Sequence, residues 1–341
     1  MRTKILFRCD AGKVKKIGTG HLYRSIFIAK ILKKKLNLKN KEIKFLIKSN
    51  KKYKIASKIL NENKLQFISF NEKFLKENSL SEIETLKKNK AKILIIDNWS
   101  KIELKTIKKI KNYFKKIILI DDRSNHNYFD LRINSLVGKN VSIKNKRSFK
   151  NLILPSYEKK DLINKKPKFK KNIKNIFINL GGWDKNYYTK SILDIIKSLN
   201  LNLNVYLSSN VKKTRSIKFK KIKIIYFPKK KFYEKLVYSD VSIVSGGLVM
   251  FDSLFFRIPT ICLPQDKDQY FNAKRVNYFN ANLIIKPKNI KKSFEYNFNS
   301  LYKNNTLRKK LIKNSKKIVK IRDMKNVLEN LINKCKICHD A

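Results

Sequence analysis

Near the start of the chain a histidine stands where a proton could be moved. The apolar run Ile5-Leu6-Phe7 ends in Arg8-Cys9-Asp10, and Ile17-Gly18-Thr19-Gly20-His21 then leads into Leu22-Tyr23-Arg24. Histidine is the side chain whose ordinary pKa suits general acid–base work near neutrality. Gly18 and Gly20 permit a tight turn and let a ligand approach the main chain. A helix starting here would present N–H groups and the positive end of its dipole to an anion. A histidine at a helix start also serves simply as a cap, and this segment alone leaves both uses open. Only His126 and His339 compete with it.

A second set of residues suits phosphate. Asn179-Leu180-Gly181-Gly182-Trp183-Asp184 closes one apolar run, and Ser245-Gly246-Gly247 closes another before a helical pattern. Asp252 follows five residues after the second pair, and Asp268-Gln269 lies beyond Arg257-Ile258-Pro259-Thr260. One glycine pair would merely permit a strand-to-helix turn. Two pairs at strand ends of one domain suit a diphosphate held by backbone N–H groups. A carboxylate in the following helix could accept hydrogen bonds from ribose hydroxyls.

The elements that must position these residues alternate. Strand-like runs are expected at 3–9, 43–47, 65–69, 92–97 and 116–121, with helical periodicity near 21–36, 51–62, 79–89 and 100–114. The pattern restarts with strands at 175–180, 202–207, 222–226, 240–244, 258–263 and 281–285. Its helices are expected at 187–199, 230–238, 247–256, 268–278, 289–303 and 305–334. Repeated β-α order predicts parallel sheets with helices on both faces. The expected division is a Rossmann-like domain over 1–155, a linker over 156–172 holding Pro167, and a second Rossmann-like domain over 173–341.

Composition bounds the partners. The 82 basic and 25 acidic residues give a net charge of +57, but only 11 of the basic residues are Arg. Lysine is spread along the whole chain together with abundant Asn and Ile, which share A/T-rich codons. Basic clusters with aromatic RNA-binding signatures are absent, so the reading excludes a specific nucleic-acid partner and keeps small anionic substrates, steered by charge. No run reaches the roughly 18 apolar residues that cross a bilayer. Lysine-rich helices are expected to rest only weakly on an anionic membrane surface. Arg8 and Asp10 interrupt the first apolar run, so the expected location is the cytoplasm. Cys9 and Cys262 fall in predicted strands as ordinary buried thiols. Cys335-Lys336-Ile337-Cys338-His339 fits the spacing of haem attachment, and is read as a chance match in a frayed tail. Neither a cofactor nor a metal is expected.

Taken in this order, the motifs resemble the UDP-sugar hydrolases of pseudaminic acid biosynthesis, the PseG/SpsG group, which are relatives of MurG-type glycosyltransferases. The resemblance runs to about residue 285. It rests on Arg8, Asp10, Ile17, Gly18, Gly20, His21 and Arg24, then Asp97, the pair Asp121-Asp122, Asp130 and Asn134. In the second half it rests on Gly181, Gly182 and Asp184, on Gly246, Gly247 and Asp252, and on Asp268-Gln269. It implies a GT-B fold, two Rossmann-like domains that take a UDP-sugar. It implies that His21 helps water attack the anomeric carbon, releasing UDP and free sugar. Substrate contacts are then expected from Asp10, Gly18, Gly20, Arg24, Asp97, Trp99, Gly181, Gly182, Asp184, Gly246, Gly247, Asp252, Asp268 and Gln269. Four departures stand out: Trp99 replaces a Tyr, Asp252 a Glu, and Leu248 and Val249 the usual hydroxyl residues. A glycosyltransferase of the same fold, with an acceptor hydroxyl in place of water, is the alternative.

Overall fold

A computed structural model describes the chain except for residues 1–2, 13–17, 71–79, 98–101, 138–146, 168, 183, 185, 210–212 and 337–341. Two compact units emerge, one of residues 1–136, 140–153 and 322–341, the other of 137–139 and 154–321.

The first unit runs β1 (Ile5–Cys9), α1 (Gly20–Lys35), β2 (Ile43–Lys48), α2 (Lys54–Glu62), β3 (Gln66–Phe70), α3 (Leu80–Lys88), β4 (Ile93–Asp97), α4 (Leu104–Ile110), β5 (Lys116–Ile120) and β6 (Leu131–Ile133). Its strands pair in parallel in the order β3-β2-β1-β4-β5-β6. Every residue of β1 and β4 is buried. That is why these strands read as continuous apolar runs rather than alternating ones: helices cover both faces of a parallel sheet. Strand order reverses between β1 and β4, where Cys9 lies opposite Asp97. The carboxyl ends of strands at such a reversal are where open α/β sheets bind ligands.

The second unit contains β7 (Asn175–Asn179), α5 (Tyr188–Ser198), β8 (Leu203–Ser209), β9 (Arg215–Phe219), β10 (Ile222–Pro228), α6 (Phe232–Val237), β11 (Val241–Val244), α7 (Leu248–Phe255), β12 (Thr260–Cys262), α8 (Lys267–Tyr278), β13 (Leu283–Ile284), α9 (Ile290–Lys303) and α10 (Asn305–Ile318). The sheet order is β13-β12-β11-β7-β8-β10-β9. Among the described residues of this sheet only the β9–β10 pair is antiparallel. Here the reversal lies between β7 and β11, with Val244 opposite Asn179. Ile176, Ile178, Val205, Ile243 and Ile261 build the core with Phe294 and Phe298 of α9.

The structure differs from the sequence expectations at several places. The linker expected over 156–172 opens on a 3₁₀ segment at Pro155–Ile163, and β6 lies at 131–133, where no strand is expected. β9 lies where no strand was expected; its five residues are all exposed, so it carries no burial pattern. The helix expected over 305–334 is two, α10 and α11 (Ile321–Cys335). The Arg257 guanidinium donates to the carbonyls of Ser315 (3.1 Å) and Val319 (2.9 Å), capping the end of α10. Most of α11 belongs to the first unit, whereas the sequence assigns it to the second domain.

Candidate functional site

The reversal in the first sheet gathers a buried charge network around His21. The Asp97 carboxylate, at the end of β4, takes His21 Nδ1 at 2.7 Å on Oδ1. Arg24 grips both its oxygens, Nε to Oδ2 at 2.8 Å and Nη2 to Oδ1 at 2.5 Å. The remaining Arg24 nitrogen donates to Asp121 Oδ2 at 2.6 Å. Asp121 stands just past β5 with φ +50°. Its Oδ1 accepts the backbone N–H of Ser135 (2.6 Å) and Leu136 (2.8 Å). α1 supplies both His21 and Arg24 because residues three apart share one helical face.

The protonation pattern follows from these distances. Burial raises the Asp97 pKa, but Arg24 and His21 outweigh it and hold it down to about 2. Arg24 is also fully buried, yet Asp97 and Asp121 raise its pKa above the usual guanidinium value. His21 Nδ1 lies 2.7 Å from an ionised oxygen and 3.1 Å from Arg24 Nη2, a donor. A bare Nδ1 that close to a carboxylate would set two acceptors against each other. Nδ1 therefore carries a proton and donates to Asp97. This is the orienting logic of a carboxylate behind a general base.

A second buried cluster supports the end of β1. Arg8 donates to Asp10 (2.7 Å) and Glu82 (2.5 Å) and sits over the Phe70 ring. Asp10 also accepts the Lys48 N–H at 3.0 Å. Asp10, Arg24 and Asp97, all expected to touch substrate, are buried and bonded to protein groups, which fixes their neighbours in place. His21 keeps partial exposure. Glu82, Lys48 and Asp121 as an anchor for Arg24 were missed; only the His21–Arg24 spacing signalled a shared partner. Asp130 takes the Ile117 N–H at 2.7 Å and shapes a turn. Asp122 binds Arg132 at 2.9 Å, while its Oδ1 and both side-chain polar atoms of Asn134 are buried without partners among the described residues. His126 Nε2 meets the Ile102 carbonyl at 3.0 Å, a structural role. Ile17 and Trp99 lie outside the described residues.

In the second unit the reversal brings the two glycine turns together. Ser245 N–H donates to the Asn179 carbonyl at 3.3 Å. Gly181 has φ +94°, and a Cβ there would stand 3.2 Å from Ser245 Oγ. A Cβ on Gly246 would stand 2.3 Å from the Gln269 carbonyl oxygen, so the close approach of α8 requires glycine. Gly247, by contrast, faces open space and begins α7 with no side-chain cap. The glycine N–H groups are not all turned outward: Gly181 donates to Asn179 Oδ1 (3.0 Å) and Gly246 to Gln269 Oε1 (3.2 Å). Asp184 accepts the N–H groups of Tyr188 (3.0 Å) and Thr189 (2.7 Å), which ties it to the start of α5. Gln265, unforeseen in the sequence, donates to Asp184 at 3.0 Å. Asp268 is buried, and Gln269 holds the β12–α8 loop by also accepting the Gln265 N–H at 3.0 Å. Asp252 is buried on α7, and its Oδ1 has no partner among the described residues. Burial pushes its pKa up to about 7, offset only in part by Ser156.

Cys9, Cys262 and Cys335 are buried free thiols; burial holds that of Cys335 near 12. Cys338 and His339 lie outside the described residues. Among the described residues no helix is long and apolar enough to cross a membrane.

No family model matches the sequence. An uncharacterized protein of Methanocaldococcus jannaschii, MJ1062, is 31% identical over 279 residues, covering 74% of this chain and 54% of that protein. The chain thus spans about half the length of the curated relative it matches. Among solved structures, MurG of Acinetobacter baumannii superposes with a TM-score of 0.56 at 10% identity, covering 97% of this chain and 98% of its own. UGT89C1 of Arabidopsis thaliana, solved with quercetin, gives 0.60 at 10% identity over 98% and 100%. UGT2 of Phytolacca americana, solved with UDP-2-fluoroglucose and pterostilbene, gives 0.56 at 9% identity over 98% and 99%. Likeness at such identity carries architecture and nothing finer, and with the two parallel α/β sheets it establishes that this chain has the GT-B fold of glycosyltransferases.

Proposed function

We propose that this protein transfers the glycosyl group of a UDP-sugar to a hydroxyl acceptor, with His21 as the base. The observation that carries the reading is the 2.7 Å contact of His21 Nδ1 with buried, ionised Asp97. It aims an acceptor nitrogen, Nε2, away from the carboxylate at the carboxyl end of the reversed strands. Nε2 takes the proton of the acceptor O–H as its oxygen bonds to the anomeric carbon. The bond from that carbon to the phosphate oxygen breaks, and UDP leaves with the electron pair.

The second unit supplies the nucleotide side of the proposal. The uncapped start of α7, following Gly247, offers N–H groups and a positive dipole end to the diphosphate. Asp252 supplies a buried carboxylate oxygen that lacks a donor, and ribose hydroxyls would provide one. UGT2, a structural neighbour, is a protein solved with UDP-2-fluoroglucose and pterostilbene.

Hydrolysis is the second reading, favoured by the motif set Arg8, Asp10, Gly18, Gly20, His21, Arg24 and Gly181-Gly182-x-Asp184, which resembles the PseG/SpsG hydrolases. The two readings use one base and differ only in what donates the proton. The test is a panel of UDP-sugars incubated with and without candidate acceptors, following UDP release and sugar products by NMR. UDP release that requires an acceptor supports transfer. Equal release without one, yielding free sugar, supports hydrolysis. No release from any UDP-sugar removes both.

A further inference from the structure

The outer face of α8 carries an unusual combination of side chains. Lys267, Tyr270, Phe271, Lys274 and Tyr278 are all exposed, whereas Asp268, Asn272, Ala273 and Val276 are buried. At about 100° per residue the five exposed positions fall within a stripe about 100° wide, opposite the buried face. The stripe runs about 17 Å along the helix. Tyr278 is 82% exposed, and Phe279 just beyond it is 43% exposed. Single apolar side chains at a surface need no explanation. Three aromatics interleaved with two lysines along one helix face, with Phe279 just past its end, form a patch.

We propose that this face of α8 docks the protein on an anionic phospholipid bilayer. Rings of Tyr and Phe settle at the level of the headgroups, where an apolar body and a polar edge are both satisfied. Lys267 and Lys274 lie on the same stripe, and their long stems let the ammonium groups reach lipid phosphates while the methylenes stay among the rings. The chain's large positive charge attracts any polyanion, so the occupant must be chosen on shape. Single-stranded nucleic acid needs ring faces on which successive bases stack. Here Tyr270–Phe271 and Tyr278–Phe279 are edge-to-face pairs, with interplanar angles of 71° and 84°. Within each pair one ring turns its edge to the other's face, which suits insertion into a soft interface better than a stack of bases.

The test uses the full chain and vesicles of phosphatidylcholine with and without about a third phosphatidylglycerol, at roughly physiological salt. Cosedimentation with the anionic vesicles is expected. The double variant Phe271→Ser/Tyr278→Ser, which keeps every charge, should bind them about tenfold more weakly while its thermal melting stays within a few degrees of wild type. Removing two lysines elsewhere, Lys220→Ser/Lys221→Ser on the exposed β9–β10 turn, should cost less than twofold. In a separate measurement, Tyr278→Trp should add emission that brominated lipids quench beyond the wild-type signal. Unchanged binding by the aromatic variant, an equal loss in the lysine variant, or absence of that added quenching would each reduce the interaction to diffuse charge and overturn the proposal. An equal loss of affinity for single-stranded RNA in the aromatic variant would reassign the face to nucleic acid and also overturn it.

Discussion

His21 and Asp252 occupy opposite ends of the proposed chemistry, and each gives a measurable signature. His21→Asn removes the proposed base while leaving the second unit untouched. Turnover should fall by roughly 10²–10⁴, with UDP affinity changed no more than a few fold. Isothermal titration beside an activity assay checks this, and full turnover in the variant would exclude His21 from the step. Asp252 predicts a pH dependence. With its pKa near 7 in the free protein, ribose hydroxyls would favour the ionised form and draw the pKa down. UDP affinity should therefore rise nearly tenfold from pH 6 to pH 8 and then level off. Asp252→Asn should abolish that slope and weaken UDP by about 1–3 kcal/mol. The same residue affects stability with the opposite preference. The folded chain keeps a proton that the unfolded chain releases near pH 4, so the stability present below pH 4 is lost as pH rises through about 7. Asp252→Asn should then melt higher than wild type at pH 8, by scanning calorimetry, and the advantage should vanish near pH 4.

At the scale of elements, the glycine turns separate a structural demand from a ligand-facing one. Gly246→Ala puts a Cβ against the Gln269 carbonyl, a backbone atom that cannot turn aside. It should cost about 1–3 kcal/mol or more and displace the β12–α8 loop. Gly247→Ser meets nothing within 4 Å and supplies a favoured helix cap, so stability should stay within about 0.5 kcal/mol. Urea denaturation of the two variants checks the contrast; equal losses would contradict it. The same contrast marks how far sequence could be read. Strands β1, β4, β7 and β11 were legible because their apolar runs are buried on both faces, and the residues at their ends followed. β6 was hidden because three residues carry no period, and β9 because an exposed hairpin strand buries nothing. The burial of Asp10, Arg24 and Asp97 was not legible either. A charged residue beside a strand end reads as ligand-facing until a partner distant in sequence, such as Asp121 past β5 or Glu82 on α3, is known to meet it. Those partners lie 97 and 74 residues away from Arg24 and Arg8.

For the whole molecule, lysine charge and site chemistry should respond differently to salt. Binding to a short DNA duplex should be sequence-blind and collapse between low salt and ~200 mM, as counterion release requires. UDP binding should fall far less, since screening acts weakly on buried contacts. Titrating both ligands at the two salt concentrations checks this, and tight, selective DNA binding with no UDP binding would overturn the enzyme reading. The unit boundaries set a further expectation. A fragment of residues 154–321 keeps Ser156 beside Asp252 and should fold and bind UDP. A fragment of 170–341 loses Ser156 and carries α11, whose Met324, Leu328 and Leu331 are buried in the intact chain. It should aggregate or bind UDP more weakly, as gel filtration and titration would show.

The placement of α11 also bears on how the chain is made. The first unit takes residues from both ends of the sequence, and the second is inserted between them. On the ribosome, β1 to β6 emerge first, yet the helix that completes their unit follows roughly 185 residues later. At about 5–20 residues per second that interval is some ten to forty seconds. The second unit, contiguous from residue 154 to 321, has all its segments out of the tunnel before the first is whole. The half of the chain translated later is thus the half able to finish first, and the nascent first unit waits for its last helix, a natural hold for a chaperone during synthesis.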